Sequence, residues 1–163
     1  MRLKLVFLFI GLLLTDVLPD LASVRNQYRE ASNNEEVAKK LHDELISVTK
    51  NDVPVLLAYK GAVTTIMADY AQRIKDKKLF FKEGKELLEH AVQSDPNNVE
   101  IRCIRLSVQE NAPKITGYHK NMAEDKKFIL ANYTTMTDNG ARLFVKGYVT
   151  GSSFFTDSEK QLF

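Results

Sequence analysis

From Leu21 onward the apolar residues recur three and four positions apart, the spacing of one helix face, and do not alternate as in a half-buried strand. A first helix is predicted over Leu21–Ala31, with Val24, Tyr28 and Ala31 inward and Ser32-Asn33-Asn34 as its break. A second is predicted from Asn34 to Thr49, where Val37, Leu41, Leu45 and Val48 form one stripe. Glu35 and Glu36 in its first turn complement the positive end of the helix dipole. The third, Pro54–Arg73, is apolar almost all round, the pattern of a helix at the centre of a domain. Asp52 is its expected cap, with Pro54 in the first turn. Ala58, Gly61, Ala62 and Thr65 make a strip of small residues along one side, which reads as a packing face.

Lys75 to Lys78 read as a charged connection. A fourth helix is expected over Leu79–Gln93, with Phe80, Gly84, Leu87, Leu88, Ala91 and Val92 inward. Glycine costs a helix about 1 kcal/mol relative to alanine, so close contact with another helix is the expected reason for Gly84. Asp95-Pro96 should end this helix and open a fifth that reaches about Glu110, with Asp95 as cap and Pro96 in the first position. A sixth spans about Asn121 to Tyr133. Asp138-Asn139-Gly140 has two readings, a hairpin turn or the start of a helix over Asn139–Thr150. The helix is preferred, because Leu143, Phe144, Gly147 and Tyr148 share one face. Thr156-Asp157-Ser158-Glu159 matches a capping box and predicts a short last helix. The sum is an all-α single domain of about seven helices in antiparallel pairs.

The N-terminus differs. Arg2 and Lys4 precede an uncharged run, Leu5 to Leu14, after which polar residues and Pro19 follow. That is the layout of a secretory signal peptide, and the run is short of the about 20 residues a membrane span needs. The expected division is a signal over 1–23 and one helical domain over 24–163, exported to the periplasm or the extracellular space. An uncleaved signal acting as an anchor is the other reading of the same segment. The net charge is +2, and the basic clusters Lys75, Lys77, Lys78 and Lys126, Lys127 are flanked by acids. This leaves no electrostatic footprint for nucleic acid, and no membrane contact is expected apart from the signal. Cys103 is the single cysteine, so no intrachain disulfide forms. Lying between Ile101 and Ile104, it reads as a small buried hydrophobe.

Gly84, Leu88, Ala91 and Pro96 carry the small, bulky, alanine and proline positions of a tetratricopeptide repeat, at spacings of four, three and five. The segment Phe80–Asn98 resembles the second helix and closing turn of that repeat, within a repeat-like stretch of about 79–110. The pattern does not recur on either side: Gln72 and Lys75 stand upstream, and Arg102 and Arg105 downstream, where apolar or small residues belong. Most of residues 24–163, from AVQSDPNNVEIRCIRLSVQENAPK to the terminal FFTDSEKQLF, is similar to a family of small exported bacterial helical proteins with no assigned activity. That resemblance implies an exported α-helical protein and no particular chemistry.

His42, His90 and His119 lack a second ligand at a recognised metal spacing, and no serine lies in a nucleophile elbow. No enzyme, metal or cofactor is therefore expected. Arg102, Arg105 and Gln109 lie three and seven apart on one helix face and are candidates to hold a partner's carboxylate or C-terminal peptide end. The alternative is an ordinary wet face paired with Glu86, Glu89 or Glu100. Tyr118, in the loop Pro113–His119, is a candidate contact residue if exposed; otherwise it packs back on the domain. The leading expectation is a secreted or periplasmic module that binds a protein or peptide in a groove between helices. The alternatives are an anchored structural envelope protein, or an enzyme whose residues converge only in three dimensions.

Overall fold

The computed structural model describes residues 18–163, and all regular structure within them is helical. The basic and apolar run at the N-terminus, and with it most of the expected signal, lies outside the described residues. Eight α-helices follow in chain order: α1 (Leu21–Ala31), α2 (Glu35–Glu44), α3 (Pro54–Tyr70), α4 (Ile74–Ser94), α5 (Val99–Asn111), α6 (Met122–Asn132), α7 (Asn139–Gly151) and α8 (Asp157–Lys160). The Asn139 segment is the helix and not the hairpin. Asp138 decides this locally, because its carboxylate accepts the amide of Ala141 at 3.0 Å and starts α7.

Two helices form the centre. In α3 the residues from Val55 to Thr65 are buried with the sole exception of Lys60. Lys60 extends outward and donates to the carbonyls of Ile46 and Val48 at 2.8 and 2.7 Å, which ties down the turn after α2. In α5, Ile101, Cys103, Ile104 and Leu106 are wholly enclosed. One continuous core joins these two helices to Val24, Leu41, Leu88, Ile129, Val145 and Phe155 from the other elements.

The tightest pair is α3 with α4, and its cause is the small-residue strip. A Cβ placed on Gly61 would come within 2.7 Å of both the Gly84 carbonyl and the Leu88 amide. A Cβ on Gly84 would meet the Gly61 carbonyl and would lie 2.7 Å from the Thr65 amide. Real Cβ atoms do not approach backbone so closely, so the two backbones touch only because both positions are glycine. Gly84, Leu88 and Ala91, the repeat-like residues, are buried in this seam. A tetratricopeptide unit is not established by it.

Several boundaries differ from the expectation. Lys75–Lys78 belong to α4, which begins at Ile74, so the charged connection is its wet first turns. The second helix stops at Glu44, and Leu45 and Val48 reach the core from the turns that follow. Asp52 does not cap α3; its carboxylate accepts the Thr49 amide and hydroxyl at 2.7 Å each and closes a turn. Asp95 ends α4 instead of capping α5. Asn98 takes that role, accepting from Glu100 and Ile101, and Pro96 stays in the turn. At the front, Asp20 caps α1 through the Ser23 amide at 2.9 Å, so a boundary after Ser23 falls inside α1.

Candidate functional site

The residues singled out from the sequence fall into an internal charge network. The Arg105 guanidinium clasps Asp125 of α6 with two bonds of 2.7 Å and reaches Glu89 of α4 at 3.0 Å. Asp125 is fully buried and Arg105 nearly so. Arg102 donates to Glu124, to Asp125 and to the Pro96 carbonyl, while its guanidinium lies 4.9 Å from the Phe128 ring centroid. Tyr118 packs back on the domain, donating to Glu89 at 2.5 Å with its ring edge-on to Phe81. Burial and that carboxylate push its hydroxyl far above the ordinary range. Gln109 is fully enclosed, and neither side-chain amide atom has a hydrogen-bond partner. The face carrying Arg105 and Gln109 is therefore not wet: it is the seam between α5 and α6, and its arginine donors are spent on that seam.

Two more polar clusters escaped sequence reasoning. Glu100, considered from the sequence as a partner on a wet arginine face, is buried under α1. Arg25 grips it with bonds of 2.7 and 2.8 Å and extends to Asp138 at 2.9 Å, while the Tyr59 hydroxyl donates to it at 2.7 Å. This joins α1, α3, α5 and the cap of α7. The Ala141 amide and Arg25 together hold the Asp138 carboxyl below its usual range. At the other end of α5, Glu110 gathers the hydroxyls of Tyr148 at 2.6 Å, Ser152 at 2.8 Å and Ser153 at 3.2 Å. Burial raises the pKa of Glu110, but these bonds outweigh it and leave the carboxyl lowered. The only sequence signal for either cluster was a carboxylate on a helix rich in apolar residues.

One open feature of the surface is a groove of about 760 Å³; another, of about 610 Å³, lies beside α6 between Lys126, Leu130 and Phe154. Tyr28 and Arg29 of α1 and Phe144 and Tyr148 of α7 form one wall of the larger groove. Ile66 and Asp69 of α3 with Phe81 of α4 form the other. Val108 and Asn111, near the end of α5, form the floor. Leu143 stands at the lip with 65% of its surface exposed. The Tyr28 hydroxyl meets Ser107 beneath the wall at 3.0 Å, and burial pushes it up to about 12.

No family model, curated protein or solved structure matches this chain. The site therefore has to be judged on its own chemistry. Among the described residues no hydrogen bond joins a serine hydroxyl or the Cys103 thiol to a histidine ring. The His119 ring instead meets the Ala112 carbonyl at 3.0 Å. Cys103 is enclosed, and burial drives its thiol well above the usual range, so no thiolate is on hand. No group of three or more His, Cys, Asp or Glu side chains in the described residues is placed to hold a metal ion. No helix among them is long and apolar enough to cross a membrane. What the groove offers is apolar and aromatic surface edged by two charges, Arg29 and Asp69, which suits binding.

Proposed function

We propose that this protein is a helical interaction module, exported to the periplasm or beyond, that binds a segment of a partner protein in the groove between α1, α3, α5 and α7. The groove carries the proposal. At about 760 Å³ it is large enough for several side chains. Its walls offer Phe81, Phe144 and Tyr148, the aromatic type that anchors interfaces. The export half of the reading rests on the basic and apolar pattern before residue 15 and on the resemblance to small exported helical proteins. Arg102, Arg105, Gln109 and Tyr118 support the fold in this reading and do not touch the partner.

The test is site-directed photo-crosslinking in the cells that make the protein. A photoreactive amino acid replaces Leu143 at the groove lip or, as a control, Lys82 on the exposed side of α4. A discrete adduct from position 143, absent from position 82, is the expected result. Identical adduct patterns from both positions, or none from 143, would remove the groove from consideration.

A further inference from the structure

We propose that the groove's occupant is a peptide segment in which a lysine or arginine is flanked by apolar residues, the cation pairing with Asp69. This rests on the groove being the binding site and adds what it selects. Three helices end at this groove. Ser32 and Asn33 line it just past α1, Asp69 lies in the last turn of α3, and Asn111 and Ala112 close α5. Each helix end presents the negative pole of its dipole. Neither α3 nor α5 has a basic residue in its last turn.

Asp69 compounds that negative potential. A carboxylate in the last turn of a helix opposes the dipole and costs the fold stability. Among the described residues Asp69 has no ion-pair or hydrogen-bond partner to offset that cost, and it is exposed on the groove wall. The single cation on the groove does not neutralise it. Arg29 turns to α7, on its own side of the groove, its guanidinium 5.9 Å from the Phe144 centroid and close to Gly147. Alone among the described arginines, Arg29 makes no hydrogen bond, which leaves its donors for backbone carbonyls of a bound chain. The remaining lining mixes aliphatic residues such as Ile66 and Leu143 with the half-buried rings of Tyr28, Phe81 and Tyr148, and the faces of such rings attract cations as well as apolar side chains. An unpaired acid, the two helix ends of α3 and α5 that lack a basic residue, and aromatic lining together complement a positively charged, otherwise apolar segment.

Fluorescence anisotropy with two labelled nonapeptides tests this: GSLFKLFSG, and GSLFELFSG with glutamate in place of the lysine. The wild-type protein is expected to bind the lysine peptide at least tenfold more tightly. Asp69→Asn should erase the preference and Asp69→Lys should reverse it. Neither variant should melt below the wild type, because each relieves the end of α3. Equal affinities, binding of neither peptide, or a preference that survives Asp69→Lys would overturn the proposal. If Leu143 still gives its specific adduct under any of those outcomes, the groove reading stands and only the cationic occupant is lost.

Discussion

Replacing Gly84 with alanine sets two large effects against each other, and the structure says which wins. On an isolated helix the change should stabilise, because alanine is favoured over glycine by about 1 kcal/mol. Here the new methyl would have to occupy space held by the Gly61 carbonyl, the Thr65 amide and the Thr65 methyl, the last two at 2.7 Å. The first two are backbone atoms that no rotamer change can move, so α3 and α4 must separate. Separation loosens Leu88 and Ala91, both fully buried in the seam. Overpacking of this kind costs about 1–3 kcal/mol, and rigid backbone on both sides puts Gly84→Ala at the upper end. After the propensity gain, a net loss of about 2 kcal/mol is expected. With a urea m-value of about 1–3 kcal/mol/M, the midpoint should fall by about 1 M with m unchanged. Far-ultraviolet circular dichroism against urea reads this directly. Gly61→Ala should cost a similar amount, and the double variant less than the sum, since one separation of the helices makes room for both methyls. Gly151→Ala is the control: nothing lies within 4 Å of its added Cβ, so it should be neutral or slightly stabilising. A higher midpoint for Gly84→Ala would refute the claim that the two backbones are in contact.

Removing one partner of the enclosed Arg105–Asp125 pair strands a charge, so Asp125→Ala should lower unfolding stability by about 3–5 kcal/mol, while Arg105→Met with Asp125→Leu recovers most of it. Glu110 predicts a pH effect. Its carboxyl titrates lower folded than unfolded, so its contribution is present at neutral pH and is lost as pH falls through the folded-state value. Denaturation of Glu110→Gln between about pH 5 and pH 3 should therefore show a shallower decline than the wild type. A chain starting at Val24 loses the Asp20 cap and places an ammonium on a residue with 0% exposure. Its unfolding free energy should fall below that of a chain starting at residue 18 by more than the about 1 kcal/mol a cap supplies, measured by urea denaturation.

The sequence spacing located the helices because each is set by neighbours three or four residues away. It also marked Gly61 and Gly84 as sites of close helix contact, though not that they face each other. Helix ends were less legible. Asp52 and Asp95 are good caps by type, but Val53 precedes α3 and Asn98 precedes α5, because the intervening turns use those carboxylates themselves. Of the polar interior only the Arg105–Glu89 pairing and the inward packing of Tyr118 were among the readings the sequence offered. Glu100 and Asp125 both sit in first turns, where a carboxylate facing water and one facing a guanidinium look the same. The partners lie 75 and 20 residues away, respectively. The groove belongs to the same class of feature, because residues far apart in the chain line it from α1, α3, α4, α5 and α7. Leu143, Phe144, Gly147 and Tyr148 were grouped correctly as one face of α7. Only their surroundings divide them into a buried Phe144 and an exposed Leu143.

The same polar contacts that escaped the sequence explain why the groove stays open. Apolar walls in water are driven together, and a concavity of about 760 Å³ would shrink if its helices were free to slide. They are not free. Tyr70 fixes the end of α1 to the end of α3 through the Ala31 carbonyl at 2.9 Å, and Tyr28 fixes α1 to α5 through Ser107. Tyr148 fixes α7 to α5 through Glu110, and Arg25 holds α1 against Glu100 while reaching the cap of α7. Sliding α1 along its neighbours would break the bonds it makes, and breaking the Arg25–Glu100 pair would strand a buried charge. These directional bonds fix how α1, α3, α5 and α7 sit around the groove. Under the proposed reading, a groove fixed in this way loses less affinity to ordering of the protein when a ligand binds. Variants such as Tyr70→Phe, which keep every groove-lining side chain, then act on binding only through the spacing of the walls.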